Sequence, residues 1–378
     1  MIRRNFLKAL PSSLFLTGFP NLGHTKTNKD GRLIVINLEG GMDGLCAVPP
    51  IGDKAFRSAR SDLLVNNNLS LNPFFGLHPS FKSFGEMLAN DEATIIHATA
   101  FPYTKRSHFE GQNIVETGLL TPFSSKSGWL GRAMELAGVG GRSLSLDTPL
   151  IVRGNMVVET FYPSNMRGSA VPNIEILDAL KSIYDGDALE TAEVLKQQLA
   201  ASRNAPRVRD PEGLATFAGK KMQEPYGPKV AVINVNQFDT HANQGTEVGL
   251  QSEQLEVVDN VFSALKAGLG KMWDTTVVMT VTEFGRTLGQ NGSAGTDHGY
   301  GSACMVAGGL LKNAGIVADW PGLKTNNLYE GRDLLATIDM RSVCAASLEA
   351  TFGLEHDEIS EKVFLDKTIK RIYNEIFT

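Results

Sequence analysis

LIVINL (33–38) runs directly into EGGMDG (39–44), and this junction decides how the chain is read. A short, nearly continuous run of valine, isoleucine and leucine suits a strand buried on both faces, as in a parallel sheet. Glycines and an acid, Asp43, follow at once. The same pattern recurs twice. VAVINV (230–235) leads into NQFDTH, which carries Asp239 and His241. TTVVMTVT (275–282) leads into EFGRT, which carries Glu283 and Arg286. GTDHG (295–299) then supplies Asp297 and His298. Three acids at three predicted strand ends, with two histidines close by, imply one polar site gathered from distant parts of the chain. In open α/β sheets such sites form outside the carboxyl ends of the strands.

Working outward, further apolar runs at 94–98, 149–152 and 303–307 read as strands. Apolar spacing near 3.6 predicts helices at 80–90, 107–120, 128–138, 174–184, 255–269 and 341–353. The alternation implies a doubly wound α/β fold, with a mostly parallel sheet and helices on both faces. Residues 31–378 form one such unit, with a helical insertion around 173–228. There is no internal repeat and no low-complexity tract.

The 378 residues suffice for a sizeable core, and 42% hydrophobic with 20% charged residues is ordinary for a globular protein. A net charge of -5 argues against nucleic acid as the partner. There is no P-loop, and no G-x-G-x-x-G follows a strand. Cys46, Cys304 and Cys344 have apolar neighbours and read as buried structural thiols, with a Cys46–Cys304 pair the alternative. The start, MIRRNFLKAL, places Arg3 and Arg4 ahead of Phe6, Leu7 and Lys8. It resembles a bacterial twin-arginine export signal occupying residues 1–30 with its linker. The apolar stretch behind it is too short to span a bilayer, and no later segment is long enough. The expected location is therefore the periplasm or cell envelope.

Carboxylates and imidazoles together suit a divalent cation, zinc first, with manganese, magnesium or calcium as alternatives. Asp43, Asp239, His241, Glu283, Asp297 and His298 are the candidate ligands. Asp239 and His241 stand two apart, so along an extended strand both face one side. Glu283 is also a candidate general base. Arg286 suits an oxyanion or a structural pair with Glu283. In KRSHFEGQ (105–112), Arg106 and His108 flank a predicted helix start and are candidates for anion or metal binding. Ser107 is either a nucleophile or, with Glu110 three residues on, half of a helix capping box. His97 lies inside an apolar run and reads as a core residue.

The pieces GGMDGL (40–45), HPS (78–80), RSHFEGQ (106–112), SGWLGR (127–132), FDTHANQ (238–244), TEFGRT (282–287), NGSAGTDHG (291–299), ADWPGL (318–323) and TIDMRSV (337–343) resemble the bacterial domain-of-unknown-function family 1501. That family is grouped with the alkaline phosphatase and sulfatase superfamily. The resemblance implies an α/β sandwich with a metal site at the strand ends. It implies a metal-binding aspartate after the first strand, here Asp43. It implies a nucleophile heading the helix after the next strand, here Ser107 or Thr104, an Asp and His pair resembling Asp239 and His241, and a late histidine resembling His298. Two departures stand out. Glu283-Phe284 occupies the place of an Asp-His dipeptide, and Asp239 and His241 are separated by one residue instead of three. These favour one metal, or a shifted pair, over a binuclear zinc centre.

The expected function is an exported, metal-dependent hydrolase of phosphate or sulfate esters, acting on a small-molecule or glycan substrate. The alternative is a non-catalytic envelope protein that binds a polysaccharide or partner protein. An exported redox protein is the weakest reading, because no haem or nucleotide motif supports it.

Overall fold

The computed structural model describes residues 30–143, 148–156, 158–160, 210–225 and 227–377. The segment up to residue 29, which resembles an export signal, lies outside them, as do residues 161–209, which hold the predicted helix at 174–184 and most of the expected insertion.

Nine strands form the main sheet. They are β1 (Arg32–Leu38), β2 (Ala93–Ala100), β3 (Gly141–Ser143), β4 (Val158–Thr160), β5 (Val230–Val235), β6 (Thr276–Thr282), β7 (Ser302–Ala307), β8 (Gly315–Val317) and β9 (Ile338–Asp339). Their order is β8-β2-β7-β6-β1-β5-β3-β4, with β9 pairing the end of β2 beyond β8. β1 lies in the middle, parallel to β5 with Leu33 opposite Val230, and parallel to β6 with Leu33 opposite Val277. Every residue of β1 is buried. This is the environment that its unbroken apolar pattern demands.

Alternate residues of the strands feed two cores. Leu33, Val35, Val232, Met279 and Val281 pack on one face with helices α1 (His108–Thr117), α2 (Trp129–Ala137) and α3 (Met340–Phe352). All 13 residues of α3 are buried, so this helix is enclosed on every side. Ile34, Ile36, Leu38, Ile233 and Val278 pack on the other face, with helices at Lys82–Ala89, Pro211–Met222 and Leu250–Leu269. The fold is therefore a mostly parallel sheet with helices on both faces, as the sequence pattern implies. No helix among the described residues is long and apolar enough to cross a membrane.

Two features depart from the sequence reading. β7 runs antiparallel to both neighbours, β2 and β6. Its start, not its end, therefore opens at the rim where β1, β5 and β6 finish. The run at 149–152 is not a strand. Pro149 precedes a single 3₁₀ turn, Leu150–Val152, whose carbonyls pass so close to Gly128 that a Cβ there would lie 2.1 Å from Ile151 O. The close backbone contact and the fixed φ of proline favour the turn.

His97 of β2 is a core residue. Its ring lies against Phe75 and Trp320, its Nε2–H donates to Val48 O at 2.9 Å, and its Nδ1 accepts from Ala98 N at 2.7 Å. Burial pushes its pKa down to about 4. A histidine depressed on folding binds fewer protons in the folded than in the unfolded chain. Its contribution is therefore present above the unfolded value near 6.5 and is lost as pH falls toward 4. By linkage the loss is on the order of 3 kcal/mol. His97→Asn should flatten the dependence of unfolding free energy on pH between about 6.5 and 4. An unchanged slope would contradict the assignment.

Candidate functional site

The rim where β1, β5 and β6 end and β7 begins gathers the polar residues. Gly40, just after β1, adopts a φ of +117°, and a Cβ there would lie 2.5 Å from Asp239 N. Only glycine lets the loop after β1 lie against the loop after β5. Its N–H donates to Glu283 Oε1 at 2.9 Å. Gly295 has the matching role in GTDHG, because a Cβ would lie 2.4 Å from His241 C. The glycines thus bring three loops into backbone contact, and the acids and histidines meet as a consequence.

Three imidazoles converge on one carboxylate. His241 Nε2 lies 3.0 Å and His298 Nε2 3.1 Å from Asp239 Oδ1, and the two nitrogens are 2.9 Å apart. His108 Nε2 lies 3.5 Å from Asp239 Oδ2, and is a buried atom with no hydrogen-bond partner. The far nitrogen of each ring is held by an acceptor. His108 Nδ1 meets Glu283 Oε1 at 2.8 Å, His241 Nδ1 meets Asp297 Oδ1 at 3.2 Å, and His298 Nδ1 meets Arg106 O at 3.0 Å. An oxygen acceptor opposite Nδ1 favours the proton there in the neutral ring, and Nε2 then carries the lone pair. Phe284, buried, forms a floor under the rings, with centroids 4.7 Å from His298 and 5.0 Å from His108.

The electrostatics follow from these contacts. Burial acts to raise the Asp239 pKa, but the Arg286 guanidinium, joined by His298 and His241 when their rings carry a proton on Nε2, outweighs it and holds the carboxyl at about 2. The hydrogen bond to Glu283 raises the His108 pKa, and desolvation lowers that of His298. Asp297 is held below the carboxylate range chiefly by the Asn291 amide, with His241 adding to it. Asp239 is half-exposed, as is His241, so the group opens to solvent on one side.

The donor set fits a divalent transition metal. Tetrahedral ligands at zinc distances stand about 3.3 Å apart, and the Asp239–His241–His298 triangle is within a few tenths of that spacing. Each histidine also has the second hydrogen bond that metal-binding imidazoles require for orientation. His108, Asp239, His241 and His298 are the residues that could hold the ion.

Other candidates from the sequence fall around this cluster. Glu283 is buried, and its Oε1 is occupied by Gly40 N and His108 Nδ1, so it orients His108. Asp297 orients His241. Asp43 is not brought to the cluster. It is fully buried, caps the turn at Gly44–Ala47, and pairs with Arg60 Nη1 at 2.7 Å and Gln244 Nε2 at 2.6 Å. Arg286 is fully buried too. It reaches Gly41 O through Nε, Thr296 O through Nη1, and Gly40 O, Phe238 O and Asp239 Oδ1 through Nη2, so the guanidinium is turned into buried acceptors and away from the cleft. It pairs with Asp239 and not with Glu283. Arg106 directs its guanidinium to Asp333 and Glu330, and offers the site its backbone carbonyl. Ser107 is the N-cap of α1 but makes no side-chain cap bond, and Glu110 bonds Tyr103 Oη instead. The capping box is therefore absent. All three cysteines are free and buried.

Sequence reasoning passed over Phe284, Asn291 and Arg60. Phe284 adjoins Glu283 in EFGRT, and a large apolar residue inside a polar motif was the available signal. Asn291 heads the NGSAGTDHG loop, where an amide commonly bonds its own turn. Arg60 gave no local signal, because its partner is set by the tertiary fold.

A cleft of about 480 Å³ opens beside the cluster. Glu39, Gln112, Glu116, Asn236, Gln237 and the exposed rings of Phe109 and Phe123 line it with His108 and Asp239, and among the described residues no lysine or arginine does.

Fold and site together define an α/β protein with a histidine-rich cluster at its strand ends. Residues 180–364, a little under half of the chain, match the model of a family described as "Protein of unknown function (DUF1501)". No curated protein matches the sequence. Among solved structures, the C-terminal periplasmic domain of EcEptC from Escherichia coli is similar with a TM-score of 0.44 and 9% identity, over 91% of this chain and 89% of that one. Ps i-CgsB in complex with k-i-k-neocarrahexaose gives 0.43 and 12%, over 91% and 75%. A protein in the alkaline phosphatase superfamily from Vibrio parahaemolyticus gives 0.37 and 11%, over 78% and 64%. These are distant likenesses of chain path and transfer no residue role.

The placement of Asp43 makes a direct prediction. Arg60→Met leaves a buried, uncompensated carboxylate and should cost about 3–5 kcal/mol in unfolding free energy. Asp43→Asn should keep any metal affinity within a few-fold. Loss of metal from a folded Asp43→Asn protein would make Asp43 a ligand after all.

Proposed function

We propose that the protein is an exported, metal-dependent hydrolase of phosphate or sulfate esters. A single divalent ion, zinc first, would be held by His108, Asp239, His241 and His298. One observation carries the metal: two imidazole nitrogens face each other at 2.9 Å beside an ionised carboxylate, in rings whose Nδ1 atoms are each bonded to an oxygen acceptor. Lone pairs at that distance repel unless a positive charge lies between them. A proton meets the demand in metal-free protein, and a metal ion meets it with better geometry.

When bound, a divalent metal supplies Lewis-acid polarisation of a phosphoryl or sulfuryl oxygen. The chain's own residues do the rest. Asp239 lowers the net charge of the centre and is fixed by Arg286. Glu283 and Asp297 keep the protons of His108 and His241 on Nδ1. Phe284 closes the floor against water. Among the described residues no guanidinium or ammonium lines the cleft, so the ester's charge falls to the metal and the His108 helix start. The alcohol part would lie along Gln112, Asn236, Gln237 and the Phe109 and Phe123 rings, with the Glu39 and Glu116 carboxylates beside them, a lining that suits a hydroxyl-rich small molecule or glycan. No base is bonded to Ser107, so attack by water is favoured over a covalent route. The twin-arginine-like start supports placement in the periplasm or cell envelope.

The absence of a cation in the cleft is also what a non-catalytic binding protein would show. Stoichiometric metal with no turnover across an ester panel would favour that second reading.

Elemental analysis of purified protein should find one divalent ion per chain, lost in Asp239→Ala and His298→Ala. No metal in the parent protein, even after reloading, would reject the centre. Affinity should rise about tenfold per pH unit for each proton displaced through the histidine range, because protons and metal compete for Nε2. A pH-independent affinity would contradict those ligands. Ser107→Ala should retain ester hydrolysis within about tenfold, whereas loss of an essential nucleophile costs far more.

A further inference from the structure

Asp333 lies outside the cluster, touches none of its ring nitrogens, and is fully buried. Its carboxylate grips two guanidiniums at once. Arg106 Nε and Nη2 reach Oδ2 at 2.9 and 2.6 Å. Arg332 Nε reaches Oδ1 at 2.9 Å and its Nη2 reaches Oδ2 at 3.2 Å.

Both arginines also touch His298. Arg106 O accepts from His298 Nδ1 at 3.0 Å, and Arg332 Nη2 donates to His298 O at 2.6 Å. Arg106 reaches its position with a φ of +60°, a conformation costly for a non-glycine residue and kept only where surrounding contacts impose it. Two residues later the chain enters α1 at His108. The short segment bearing Asp333 is itself fixed, by Tyr329 and Asp333 backbone bonds, by Leu288 N to Arg332 O and by Gly301 N to Leu334 O.

We infer that Asp333 is a positioning residue for the candidate metal centre. Through Arg106 it aims a backbone carbonyl at His298 Nδ1, which fixes the tautomer and turns Nε2 toward Asp239. Through Arg332 it holds the His298 backbone. Because Arg106 also leads into His108, the same carboxylate sets the spacing of two rings whose centroids stand 4.3 Å apart. Partners that orient a ligand from behind commonly change metal affinity about 10–100-fold when removed. The inference rests on the proposed metal centre for its affinity readout, and on metal-free protein for its other readout.

The test uses the full chain with Asp333→Asn, and Glu330→Gln as control. Glu330 is an exposed partner of Arg106 that makes no hydrogen bond or ion pair with His298 or Asp333 among the described residues. Zinc affinity is measured by competition titration, and the His298 tautomer by ¹⁵N NMR of metal-free protein. Asp333→Asn should weaken zinc binding about 10–100-fold and turn His298 from the Nδ1–H form into a mixture. Glu330→Gln should stay within about twofold, as an exposed pair would. If Asp333→Asn does not fold, Arg106→Lys keeps the charge and the carbonyl but breaks the planar grip, and should shift the tautomer in the same direction. Unchanged affinity and tautomer in Asp333→Asn would overturn the inference. Lost affinity with an unchanged tautomer would overturn it as well, since the effect would not pass through His298. A parent protein that binds no zinc would reject the metal centre, while the tautomer would still decide the role of Asp333.

Discussion

One buried guanidinium holds the rim of the sheet together. Arg286 meets five acceptors from three loops, four of them backbone carbonyls. The loop after β1 supplies Gly40 and Gly41, the loop after β5 supplies Phe238 and Asp239, and the turn before His298 supplies Thr296. These carbonyls would otherwise face a crowded interior without partners, at a cost typical of buried unsatisfied groups. A lysine could not replace this, because the planar fork meets acceptors in fixed directions. The site is therefore a product of how the loops close, and its charge is set by the same residue that closes them.

Within that frame, each imidazole is oriented from behind and left free in front. Glu283, Asp297 and the Arg106 carbonyl take the three Nδ1 protons. The three Nε2 atoms are aimed at Asp239, whose carboxyl is kept ionised. Such an arrangement is strained without a cation and relaxed with one. The antiparallel direction of β7 is part of the same design, since it lets His298 arrive just before a strand while Asp239 and His241 arrive just after one.

Much of this was legible in the chain. β5 spans 230–235 as its apolar run does, and β1 and β6 match theirs to within a residue. The fold brings Asp239, His241, Glu283, Asp297 and His298, singled out beside glycines, to one rim. What the sequence could not carry was pairing. Asp43 looks like a ligand because it follows the first strand. It is neutralised by Arg60, which lies in an unremarkable helical stretch seventeen residues on. Glu283 and Asp297 read equally well as ligands and as orienting partners, because both roles need a carboxylate near a histidine. Arg286 and Arg106 read as anion holders for the same reason. Only the tertiary contacts reveal that Arg286 is turned into buried carbonyls and Asp239, and Arg106 toward Asp333 and Glu330.

The account stands on three imidazole nitrogens and one carboxylate meeting at a single point. X-ray absorption spectroscopy of the zinc-loaded protein tests this most directly. The account predicts a first shell of three nitrogen donors and oxygen at about 2.0–2.1 Å, with imidazole multiple scattering. A shell of oxygen alone, or one containing sulfur near 2.3 Å, would contradict it.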